Sequence, residues 1–64
     1  MTIKEVMEAG LLKIKQPDWK RGHFIRLKRD KERKYSPYCE IYQKGKKVKT
    51  YPMWRLKGFK WVKA

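Results

Sequence analysis

The side chains able to do chemistry in this sequence are lysines, arginines and aromatic rings, and they alternate. Phe24-Ile25-Arg26-Leu27-Lys28 and Tyr38-Cys39-Glu40-Ile41-Tyr42 place a ring or a charge at every second position. On a pleated strand every second side chain shares a face. Rings that stack on bases, set among cations that follow phosphates, suit single-stranded nucleic acid, and each stacked base contributes ~1–3 kcal/mol. The candidate contact residues are Phe24, Arg26, Lys28, Tyr38, Tyr42, Lys44, Lys46, Lys47, Lys49, Tyr51 and Arg55. A structural explanation competes with this one. Tyrosine is a good strand former, Tyr38 and Tyr51 can be a cross-strand pair, and lysine on a sheet edge deters aggregation.

Other chemistries are poorly equipped. Cys39 is the only cysteine and His23 the only histidine, which leaves no structural zinc site. No base accompanies Cys39, as nucleophilic catalysis requires. Asp18, Asp30 and Glu40 stand in separate segments, and the four glycines are scattered and form no phosphate loop. Sixty-four residues make one domain, which buries only about 60% of its unfolded surface. The expectation is a single non-catalytic domain, residues 1–64, with no metal and no cofactor.

Charge narrows the partner. Nineteen basic and six acidic residues give a formal charge of +13, and after Glu40 there are eight basic residues and no acid. Self-repulsion at that charge opposes compaction, and a polyanion that neutralises it favours the folded chain. Nine aromatic residues argue against disorder. No apolar run is long enough to span a membrane, and Met1–Gly10 carries Glu5 and Glu8 instead of a signal-peptide core. A cytoplasmic protein with no membrane partner is expected.

These residues need elements to position them. Thr2-Ile3-Lys4-Glu5 fits a capping box, Ile3, Val6 and Met7 share a helical face, and Gly10 suits the end, so the spacing predicts a helix over 3–9. Strands are predicted at 11–15, 23–29, 38–43, 46–51 and 59–62. Lys44-Gly45 makes a two-residue hairpin turn, since Gly45 supplies positive φ. The implied register pairs Ile41 with Val48, Cys39 with Thr50, Glu40 with Lys49 and Tyr38 with Tyr51. The expected core holds Leu12, Ile14, Ile25, Leu27, Cys39, Ile41 and Val48 under Ile3, Val6 and Met7, with Trp61 also inside and Trp19 and Trp54 unassigned. His23 and Cys39 read as packing residues. The fold class is α+β: a short N-terminal helix packed on a four- to five-stranded antiparallel sheet.

The helix ending in Glu8-Ala9-Gly10, the strand Leu12-Lys13-Ile14-Lys15, Pro17-Asp18-Trp19 and the strand Phe24-Ile25-Arg26-Leu27 resemble small phage-encoded proteins of the anti-Thoeris type. The resemblance covers about residues 3–28 and implies an anti-defence role in which a nucleotide signal is sequestered. The chain departs from that pattern in being shorter, more basic and closed by Trp61-Val62-Lys63-Ala64. Size and charge are also similar to those of archaeal seven-kilodalton chromatin proteins, with no shared motif. The leading expectation is nucleic-acid binding, DNA or RNA, through the basic aromatic sheet face and basic loops. The alternative is a phage or mobile-element inhibitor that binds an acidic host defence protein or a nucleotide ligand.

Overall fold

The computed structural model describes all 64 residues. Thr2 starts the chain's only α-helix, α1, Ile3–Glu8. Its Oγ1 accepts from the Glu5 amide at 3.2 Å, and Glu5 Oε1 accepts from the Thr2 amide at 2.9 Å. Gly10, at φ +72°, turns the chain out of the helix. Six residues cannot hold a helix in water alone. Val6, fully buried, anchors it, while Tyr35 Oη donates to the Leu11 carbonyl and Arg29 Nη1 to that of Gly10. No helix is long and apolar enough to cross a membrane.

The rest is a five-stranded antiparallel sheet, so the α+β expectation holds. The strands are β1 Lys13–Lys15, β2 Phe24–Arg26, β3 Tyr38–Gln43, β4 Lys46–Pro52 and β5 Val62–Lys63, in the order β4-β3-β2-β1-β5. A 3-10 turn, Met53–Leu56, joins β4 to β5. Several elements are shorter than the sequence implies. The helix stops at Glu8 because Ala9 caps it. The first strand loses Leu11 and Leu12 to the turn leaving α1, and Leu12 is half exposed, not core. The second gives way after Arg26 to a loop in which Asp30 Oδ1 accepts from the Glu32 and Lys34 amides, each at 2.9 Å. The last strand is 62–63, not 59–62, because the Trp61 backbone exchanges hydrogen bonds with Met1 at 2.6 and 2.7 Å.

The hairpin register needs correction. Lys44 and Gly45 both take positive φ, 53° and 77°, as a primed two-residue turn requires. Next to it Gln43 faces Lys46 and Tyr42 faces Lys47, as expected. Val48 is then an extra residue. Beyond it Ile41 pairs with Lys49, Glu40 with Thr50, Cys39 with Tyr51 and Tyr38 with Pro52. A bulge of this kind sets two residues against one and reverses the faces that follow. Val48 and Thr50 therefore leave the core for solvent, and Lys49 and Tyr51 move to the side of Cys39 and Ile41.

The buried core is Val6, Ile14, Ile25, Leu27, Cys39, Leu56 and Trp61. Trp61 is inside as expected, its indole N–H donating to the Leu56 carbonyl at 3.1 Å. Leu56 enters from the 3-10 turn, unforeseen. Met7, expected to cover the core, is exposed, and Ile3 is partly buried against it. Urea denaturation checks this division. Ile14→Ala is expected to cost ~2–5 kcal/mol, as for a closed core site. Val48→Ala should stay within about 0.5 kcal/mol, and similar losses at the two positions would put Val48 back in the core.

Candidate nucleic-acid interface

The bulge divides the basic and aromatic residues between two faces. On the outer face, away from the core, Phe24 pairs with Tyr42 across β2 and β3, and their rings stack 4.8 Å apart at 8°. Lys13 Nζ lies 5.2 Å from the Phe24 ring centroid. Phe24 therefore has a ring and an ammonium already against it and offers no open platform to a base. Beside it Glu40 is nearly buried, with Oε2 at 2.8 Å from Lys47 Nζ and 3.2 Å from Lys28 Nζ. The hydrogen bond from Lys47, aided by Lys28, holds the Glu40 carboxyl below its ordinary range against the opposing effect of burial. The same contact raises the Lys47 ammonium. Of the expected contact residues, Phe24, Arg26, Lys28, Tyr42 and Lys47 share this face, with Tyr38 exposed at its end.

The core face is only partly covered, and its open part is a cleft of about 550 Å³. Its lining includes the apolar Ile25, Ile41 and Leu56 and the aromatic Trp19, Tyr42, Tyr51, Phe59 and Trp61. Lys20, Lys49 and Arg55 stand around it, with His23, and Asp18 is the only carboxylate. Lys49 Nζ lies 5.4 Å and Arg55 Cζ 5.7 Å from the Tyr51 ring. Arg55 is also 5.3 Å from the ring of Trp54, which is 72% exposed. Trp19 meets Trp61 edge-on at 5.8 Å, and Phe59, 50% exposed, leans on Trp61 at 6.2 Å.

Local sequence explains these positions. Pro17 ends the first strand, having no donor for the ladder, and the Trp19 amide closes a turn onto the Gln16 carbonyl. Gly22, at φ +87°, brings that loop against the hairpin turn. A Cβ there would stand 3.3 Å from Lys44 Cα, and the Gly22 carbonyl accepts from the Gly45 amide. The 3-10 turn carries Trp54 and Arg55 out of β4.

The expected residues are thus not one platform. Lys49 and Tyr51 belong to the cleft and not to the outer face because Val48 shifts the register, Arg55 reaches the cleft from the 3-10 turn, and Tyr42 borders the cleft as well as the outer face. Lys44 and Lys46 sit exposed at the hairpin tip. Sequence reasoning missed Trp19, Lys20 and Phe59 as cleft lining. The available signal was the excess of rings: three tryptophans in a chain too small to bury them all. Burial pushes the Cys39 thiol up to about 11, and its Sγ donates to the Tyr51 carbonyl at 3.2 Å. It is a packing group that stays protonated at neutral pH.

Comparison with family models, curated proteins and solved structures gave no match.

The Glu40 cluster gives a pH test. Its folded pKa is depressed, so its contribution to stability is present above the unfolded glutamate value of about 4.3 and disappears as pH falls through the lower folded value. Glu40→Gln should therefore melt below the parent at neutral pH, and the gap should narrow on acidification below that value. A gap that is constant with pH would mean the ion pairs contribute nothing.

Proposed function

We propose that this protein is a non-catalytic binder of single-stranded nucleic acid, with bases entering the cleft and phosphates lying along its basic rim. The observation that carries the reading is the cleft: an aromatic and apolar lining, three cations around it and a single carboxylate. Its volume falls within the ~300–1,000 Å³ of small-ligand sites, room for a base with its sugar. Stacking on Tyr51, Trp19 or Phe59 would tolerate any base, since every base has a π-face. Lys20, Lys49 and Arg55, with Lys44 and Lys46 at the hairpin tip, would neutralise the backbone. A duplex keeps its bases paired and stacked and cannot present one to the cleft without unpairing. Preference for single strands follows. A cytoplasmic setting belongs to the same proposal.

The resemblance to anti-defence proteins adds a second reading on the same chemistry. A cleft sized for one nucleotide also suits a free nucleotide signal. A mononucleotide or cyclic nucleotide that displaces a bound oligonucleotide at equal concentration would favour it. An inhibitor of a host protein would instead capture an acidic partner and ignore oligonucleotides.

Fluorescence anisotropy over a salt series tests the leading reading. A labelled oligothymidine should bind more tightly than a duplex of equal length. Tyr51→Ala should cost ~1–3 kcal/mol of single-strand affinity with the salt slope nearly unchanged, while Tyr51→Phe keeps the ring and the affinity. Arg55→Ala should lower the slope by about one. Tyr42→Ala should cost less than Tyr51→Ala, because the Tyr42 ring, though Tyr42 borders the cleft, is already stacked on Phe24. Equal affinity for single strand and duplex in every variant, or binding indifferent to salt, would overturn the proposal.

A further inference from the structure

The outer face has cations that the cleft does not use. Lys13 and Arg26 stand directly across from one another on β1 and β2, and Arg26 in turn faces Glu40 on β3. Lys28 and Lys47 complete the group, giving four cations to one carboxylate. Glu40 is satisfied by Lys28 and Lys47 and lies low between them, so Lys13 and Arg26 keep no anionic partner. Both are exposed.

This surface differs in kind from the cleft. Its central rings, Phe24 and Tyr42, are stacked on each other, and Lys13 lies near Phe24, so bases find no free platform between them. What remains, apart from the exposed Tyr38 ring at its end, is a pleated surface with charge on it, which suits a phosphate backbone without regard to sequence or strandedness. It lies on the opposite side of a single sheet from the cleft, in a molecule only 17 Å across its shortest axis.

We infer that one molecule holds two nucleic-acid segments at once, an unpaired segment by its bases in the cleft and the phosphate backbone of a second segment against Lys13 and Arg26. This rests on the single-strand reading of the cleft. It makes the protein a bridge rather than a coat. The competing arrangement is one strand that passes round the β4 edge and touches both faces, which gives a complex with nothing left to capture.

A capture assay separates these. A duplex is immobilised, the protein is added, and retention of a labelled oligothymidine is measured, alongside oligothymidine affinity in solution. The parent should retain the strand. The double variant Lys13→Gln/Arg26→Gln should lose about tenfold or more of the retention while its solution affinity stays within about threefold. Lys13→Arg/Arg26→Lys, with both charges kept, should restore retention. Tyr51→Ala should lose retention and solution affinity together. Strong solution binding without retention overturns the bridge and leaves the single-strand reading standing. Retention untouched in the double glutamine variant also overturns it, since the second segment is then held elsewhere, as by the cleft of another copy. Failure of the parent to bind oligothymidine in solution sinks both.

Discussion

Opposite the Ile41–Tyr42 step of β3, strand β4 carries one residue too many, and the side chains beyond it change face. Everything distinctive about the surface depends on that bulge. Without Val48 as the extra residue, Tyr51 and Lys49 would join Phe24, Tyr42 and Lys47 on one crowded basic face, and the core face would carry Val48 and Thr50. With it, Tyr51 stands over the core side beside Cys39, whose thiol reaches the Tyr51 carbonyl. Lys47, still in the register of the turn, remains outside and reaches Glu40. The bulge thus serves packing: it brings a ring to a core short of volume, while Lys47, ahead of it, keeps its place by the only buried carboxylate.

The core it completes is small. Seven apolar residues are buried, drawn from the helix, three strands, the loop after β2, the 3-10 turn and the segment before β5. Trp61 links them, as its indole holds Leu56 and its backbone is tied to Met1. So few side chains cannot also cover Trp54 and Phe59, which remain largely in water. The cleft is what results when the sheet's core face is wider than the helix and the 3-10 turn that cover it.

Much of this was legible in the residues, for physical reasons that also mark where legibility stops. The capping box at Thr2 and Glu5 and the positive φ at Gly10 and Gly45 are local, and local chemistry decides them. Alternation marks β2 because Phe24–Lys28 has one dry and one wet face, and it marks β3 by residue type although Glu40 on its outer side is buried between two lysines. Val48 defeats the same logic. It is apolar and β-branched, sits where a core residue would, and is 49% exposed because Tyr51 competes for the interior. Leu12 misleads similarly, being apolar in a turn. Trp19 and Phe59 come to line one cleft through loops that close on distant partners, and no spacing in the sequence encodes that meeting. The residues expected on one face therefore stand on two, because the bulge at Val48 changes the face of those that follow it.

Charge and folding are coupled in a chain like this. With a net +13 on so small a body, repulsion works against a core that at this size supplies only ~3–5 kcal/mol of net stability. Ion pairing offsets little of it. The Lys34–Glu32 pair is exposed and worth about 0–1 kcal/mol, and Glu40 serves two lysines at once. A polyanion that binds only the folded chain would stabilise it by mass action while relieving that repulsion. The proposed ligand would then act as part of the fold's energetics: phosphates would screen the lysines that sequence placed too densely, and bases would cover rings that the core had no room to take in.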